Sequence, residues 1–126
     1  MEKVAVYASF KDQSRKSIDF FLNRVADWCL MNNYDYTLYF DKVKNRLDLD
    51  RKELNDLKED NENGEYSKVI IKDITQLSRN TVHNMEFLQF LEDNDCQIES
   101  MDGTDLTLYK KYMKDLIKWR RKKKDE

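Results

Sequence analysis

The chain has 126 residues, 40% of them apolar and 38% charged, with two Gly and no Pro. That is enough for one domain of ordinary size with an unusually ionic surface, and it excludes a collagen-like or disordered chain. The net charge of −2 hides an asymmetry: Lys110 to Glu126 holds nine Lys/Arg against three Asp/Glu, a net +6, and the remainder holds fourteen against twenty-two, a net −8; a polyanion is expected at the cationic end only.

Lys3 to Phe10 reads as a strand, with Val4, Val6 and Ala8 on one face and Ala5 and Tyr7 on the other. Both faces are apolar, as in the centre of a parallel sheet. Lys11 to Ser17 is a polar connection in which Ser14 reads as a turn residue and Ser17 as a helix N-cap. Ile18, Phe21, Leu22, Val25 and Trp28 or Cys29 recur at helical spacing, so Ser17 to Asn32 is an amphipathic helix that Asn32-Asn33 ends. Tyr34 to Phe40 alternates, Tyr36, Leu38 and Phe40 against Asp35, Thr37 and Tyr39, as a half-exposed strand does. Asp41 to Asp48 is a charged loop. Asp50 and Glu53 then fit a capping box, with Leu49 and Leu54 at the staple positions of a helix that runs to about Asp60 and turns Leu54 and Leu57 inward. Asn61 to Ser67, holding Gly64, is a loop.

Val69-Ile70-Ile71 is a short β-branched run, the pattern of a strand buried on both faces. Asn80 or Thr81 caps a helix from Val82 to Glu92, with Val82, Met85, Leu88 and Leu91 inward. Arg79 beside that helix N-terminus is a setting for a phosphate. Cys96 to Ser100 is a short fourth strand and Met101 to Asp105 a turn. From Leu106 the spacing is helical again through Tyr109, Tyr112, Met113, Leu116 and Trp119, into Arg120-Arg121-Lys122-Lys123-Lys124.

Strands alternate with helices throughout. Right-handed crossovers then build an α/β fold of three layers, a mostly parallel sheet with helices on both faces. Residues 1–105 form the domain, and 106–126 a C-terminal helix with a basic tail. Cys29 and Cys96 sit within apolar patterns and read as buried thiols. With His83 alone and on a helix surface, neither a metal site nor another cofactor is expected. The Met-Glu-Lys start and the absence of a long apolar run predict a cytoplasmic protein with no membrane partner.

Four pieces, in this order and spacing, resemble the catalytic domain of the serine recombinases, the resolvase/invertase family. Val4-Ala5-Val6-Tyr7-Ala8 is similar to its opening strand, and the helix ending Asp27-Trp28-Cys29 to the helix that follows. Leu49-Asp50-Arg51-Lys52-Glu53-Leu54 resembles its "D-R-x-x-L" helix start, and Lys72 to Asn80 its "D-R-L-S-R-N" segment. Met101-Asp102-Gly103 sits where the family closes its last core strand. The resemblance covers roughly residues 3 to 106.

The resemblance implies DNA strand exchange through a Ser nucleophile just after the first strand, in "Y-A-R-x-S", ringed by arginines that stabilise the phosphate's transition-state charge. This chain departs there: the matching run is Tyr7-Ala8-Ser9-Phe10-Lys11, with Ser9 at the Arg position and Lys11 at the nucleophile. A lysine has no hydroxyl with which to form a phosphoserine. Thr75 and Gln76 replace the Asp and first Arg of "D-R-L-S-R"; Arg51 and Arg79 survive, and Asp41 is a candidate for the acid after the second strand. The expected function is therefore a catalytically inactive domain that binds DNA or an active recombinase, with a homodimer possible.

The phosphate-contacting candidates are Arg51, Arg79, Lys118, Arg120, Arg121, Lys122, Lys123 and Lys124, and the interface candidates are Tyr112, Met113, Leu116 and Trp119. No separate DNA-binding module is recognisable. One alternative is an active recombinase using Ser9 as a displaced nucleophile, for which Arg15 is the sole nearby arginine in the sequence. A weaker one is a receiver-like signalling module with Asp73 as phosphoacceptor.

Overall fold

A strand apolar on both faces has to lie inside a sheet, and β1 (Glu2–Phe10) does. The computed structural model describes residues 1–11, 14–44 and 51–124, with the side chains of the last helix up to Leu116 and at Lys118. After β1 come α1 (Arg15–Met31), β2 (Tyr34–Lys42), α2 (Lys52–Glu62), β3 (Lys68–Ile71), a 3₁₀ turn (Ile74–Gln76), α3 (Thr81–Asp93), β4 (Gln97–Ser100) and α4 (Leu106–Lys124). The four strands lie in the order β2-β1-β3-β4 and every pair is parallel. This is the expected three-layer α/β architecture.

The two faces of β1 feed two cores. Ala5 and Tyr7, with Val69 and Ile71 of β3, pack under Leu54 and Leu57 of α2, Phe87 and Leu91 of α3 and Leu106 of α4. Val4 and Val6, with Ile70, pack under Val25 and Cys29 of α1 alone. Burying each large apolar side chain contributes about 1.5–3 kcal/mol, so the central strands draw stability from both layers. Both cysteines are free and buried, as expected. Burial pushes the Cys96 thiol up to about 11, because a thiolate would lose its hydration there.

Local details differ from the sequence expectation for identifiable reasons. The cap of α1 is Ser14, whose Oγ accepts from the Ser17 N–H; Ser17 itself lies inside the helix. β2 runs two residues beyond Phe40, so Asp41 belongs to a strand end, not a loop. Its buried side is Tyr39 and Asp41, continued by Val43 just past the strand, while Phe40 is 49% exposed. β2 is an edge strand; α1 packs on Tyr34 and Leu38 of its other side but leaves Phe40 near the strand end half-exposed, whereas α2 covers the side of Tyr39. Leu49 and Asp50, the expected staple and cap of α2, lie outside the described residues. On α3 Val82 is 52% exposed and Phe87 takes its place in the core, since Val82 falls in the first turn, off the stripe that Met85, Leu88 and Leu91 define. Both α1 and α3 end on an asparagine C-cap followed by a left-handed residue, Asn33 (φ 57°) and Asp95 (φ 54°). Short polar side chains tolerate that conformation better than any branched one.

Candidate functional site

The C-terminal ends of parallel strands are where groups converge in such sheets, and here the convergence is set by register. Ser9 of β1 lies beside Asp41 of β2, and Tyr7 beside Tyr39. All four point to the face covered by α2 and α3. The crossover from β2 then returns Arg51, the residue preceding α2, to the same corner, and the 3₁₀ turn after β3 brings Gln76.

These side chains close on one another. The Ser9 Oγ–H donates to the Gln76 carbonyl at 2.7 Å, and the Ser9 backbone N–H donates to Gln76 Oε1 at 3.0 Å. Arg51 Nη1 donates to the same Gln76 carbonyl at 2.7 Å and reaches the Tyr7 hydroxyl at 3.4 Å. Tyr7 in turn donates to Asp41 Oδ2 at 2.9 Å. Burial, with Asp41 beside it, pushes the Tyr7 phenol well above its ordinary range against the pull of Arg51. Asp41 completes the chain by capping α2: its carboxylate accepts from the Glu53 and Leu54 N–H groups at 2.9 and 3.1 Å. A carboxylate over a helix N-terminus meets both its unpaired donors and its dipole.

The corner is buried. Ser9 and Arg51 are each 1% exposed, and Arg51 is among the largest fully buried side chains of the described residues. A cavity of about 90 Å³ between α2 and α3, bounded by Arg51, Ser78, His83 and Asn84, adjoins it. Ligand pockets generally run about 300–1,000 Å³, so this space suits water rather than a nucleotide. Chemically, the Ser9 hydroxyl is held as a donor to an amide carbonyl, which accepts a hydrogen bond but is too weak a base to take the proton and leave an alkoxide.

The remaining candidates lie apart. Lys11 is exposed just beyond β1, and Arg79 is exposed on the turn before α3. The backbone donors expected to join Arg79 in holding a phosphate are taken: Asn80 Oδ1 accepts from Val82 and His83 N–H, and Ser78 Oγ accepts from Asn80 N–H. Asp73 caps the 3₁₀ turn, accepting from the Thr75 N–H at 3.0 Å and from the Thr75 hydroxyl. Arg15, the arginine nearest to Ser9 in sequence, is on α1 and pairs with Asp19; the parallel crossover places Arg51 beside Ser9 instead. Sequence reasoning passes over Gln76 as a mere replacement and Asn84 altogether, though Asn84 Nδ2 donates to the Ser78 carbonyl at 2.8 Å. No sequence signal distinguishes either residue.

On α4, Tyr109 packs against the larger core and Lys110 pairs with Glu92 of α3. Met113 and Leu116 are half-buried, Lys118 is exposed, and Tyr112 is 63% exposed together with Leu108, also 63%, which the apolar spacing does not single out. The side chains of Trp119, Arg120, Arg121, Lys122, Lys123 and Lys124 lie outside the described residues.

A family model described as "Resolvase, N terminal domain" matches residues 8–122. No curated protein matches the chain. Among solved structures, the N-terminal catalytic domain of TP901-1 integrase superposes with a TM-score of 0.82 at 18% identity, covering 96% of this chain and 98% of that one. A resolvase family site-specific recombinase from Streptococcus pneumoniae gives 0.72 at 18% identity over 98% of this chain and 90% of its own. A serine recombinase from Sulfolobus solfataricus gives 0.62 at 21% identity over 94% and 83%. At these identities the structures speak for the fold alone, and the family model, which spans most of the chain, replaces the receiver reading of Asp73: the chain belongs to the resolvase family.

Proposed function

We propose that this domain keeps the recombinase fold without its cleavage chemistry and acts by binding DNA, an active recombinase or a second copy of itself. The observation that carries the reading is the pairing of Lys11 at the nucleophile position with a Ser9 that is 1% exposed and donates to the Gln76 carbonyl. Phosphodiester attack needs a hydroxyl that reaches the phosphorus in line, among charges already placed for the transition state. An exposed lysine offers no such oxygen. A buried serine meets no phosphate without moving Gln76. Arg51 is committed to the same carbonyl, which leaves Arg79 as the surviving family arginine on the surface.

Binding is assigned to α4. Its basic end supplies a non-specific, salt-sensitive contact for duplex DNA through Lys118, Arg120, Arg121, Lys122, Lys123 and Lys124. Tyr112, with Met113, Leu116 and Trp119 along the same helix, supplies the apolar surface for a recombinase or a second copy. The full chain is expected to bind labelled duplex with an affinity that falls steeply with salt, a version ending at Lys118 to bind at least about tenfold more weakly, and the recovered strands to be intact on a denaturing gel. Equal binding by the two chains would rule out the tail as the DNA contact, and nicked strands would rule out inactivity.

The second reading, an active recombinase using Ser9, has one observation in its favour. Ser9 Oγ and Arg51 Nη1 share an acceptor, so a hydroxyl and a guanidinium already stand together.

A further inference from the structure

The opposite face of the sheet carries a groove that the duplex reading does not use. It lies between α1 and the end of β3, has a volume of about 450 Å³, and is lined by Lys16, Ser17, Phe20, Phe21, Arg24 and Lys72. Among the described residues its lining holds three cations and no carboxylate, on a body that outside the last seventeen residues carries a net −8. Lys16, Phe20 and Arg24 are spaced four apart and so form one stripe, cation, aromatic, cation, about 12 Å long on α1. Phe20 is 65% exposed. Phe21 beneath it is fixed by an edge-on contact with Phe10 at 5.6 Å, and Lys72 Nζ lies 5.9 Å from its ring centre.

We infer that this groove binds single-stranded DNA, a base stacking on Phe20 while its flanking phosphates lie against Lys16 and Arg24. The combination of an exposed ring and a line of cations is what sequence-tolerant single-strand binding requires, stacking for the base and counterion release for the backbone. A duplex keeps its bases stacked on each other and offers Phe20 nothing. An acidic peptide satisfies the cations and leaves the ring in water. A deeper cavity of about 110 Å³ shares Phe21, Arg24 and Lys72 and is bounded by Asp73 and Asp102. Those carboxylates repel phosphate, so the backbone runs along the α1 rim and not into the sheet end. The inference goes beyond the proposed duplex contact and does not rest on it, since groove and tail are separate surfaces.

The test is fluorescence anisotropy of a short labelled oligo(dT) strand and of a duplex of equal length, with the full chain, Phe20→Ala, Phe20→Trp and the double variant Lys16→Glu/Arg24→Glu. Phe20→Ala is expected to weaken single-strand binding roughly five- to a hundredfold, the value of one stacked base, and Phe20→Trp to retain it. The double variant is expected to weaken it more and to flatten the slope of log affinity against log salt by about 0.7 for each phosphate no longer neutralised, with duplex binding by the tail unchanged. All three positions are exposed, and circular dichroism confirms that each variant folds. Single-strand binding that is absent, that ignores the groove variants, or that disappears only on truncation at Lys118 overturns the inference. So does competition by free thymidine monophosphate or by poly-glutamate as effective as that by the strand.

Discussion

An arginine with 1% of its surface exposed has to find its acceptors inside the protein, because a buried guanidinium without them costs several kcal/mol. Arg51 finds one in the Gln76 carbonyl and approaches the Tyr7 hydroxyl. Its stem also fills the corner where β1, β2 and the 3₁₀ turn meet. Arg51→Ala removes both roles and is expected to lower stability by about 2–4 kcal/mol, read from the urea midpoint. Arg51→Met restores the stem and should recover about half of that loss. A loss below about 1 kcal/mol in the Ala variant would show that the corner does not depend on this side chain. The same residue that the family resemblance marks as a phosphate contact is, in this structure, a strut between strand ends.

At the scale of elements, the Asp41 carboxylate ties the end of β2 to the first turn of α2. Asp41 accepts from two N–H groups of α2 and from Tyr7, so helix, edge strand and central strand meet at one side chain. Asp41→Ala is expected to cost about 2–3 kcal/mol, more than an ordinary surface cap, and to loosen α2 before the sheet; hydrogen exchange of the α2 amides would report it, and unchanged protection would contradict the cap. How far this is legible in the sequence follows from what kind of signal each feature leaves. The alternation of strands and helices follows from periodicity, which is local, and the helices on both faces from the handedness of the crossovers; the spatial order β2-β1-β3-β4 leaves no such local signal. Capping rules look a few residues back and so point to Asp50 for α2; Asp41 reaches the helix only through the crossover. The motif resemblance locates Ser9, Lys11, Arg51 and Arg79 along the chain. It does not say which of them are buried, because Ser9 and Arg51 are closed off by the carbonyl of Gln76, and a backbone oxygen has no residue type to recognise.

For the whole molecule, fold and chemistry are separate questions. The chain has the parallel four-stranded sheet and belongs to the resolvase family, the motif resemblance sets Lys11 against the family's nucleophile, and a fold shared with catalytic domains does not by itself carry their reaction. No helix of the described residues is long and apolar enough to cross a membrane. The proposed partner surfaces are the α4 end and the α1 groove, while the corner at the ends of β1 and β2 is filled by Ser9, Arg51 and Gln76. Inactivity is tested most directly by trapping a covalent protein–DNA adduct on a denaturing gel, using the full chain, Ser9→Ala and Lys11→Ala. A domain without cleavage chemistry gives no adduct from any of them. An adduct formed by the full chain and by Lys11→Ala, and lost in Ser9→Ala, would contradict inactivity and make Ser9 the nucleophile of an active recombinase.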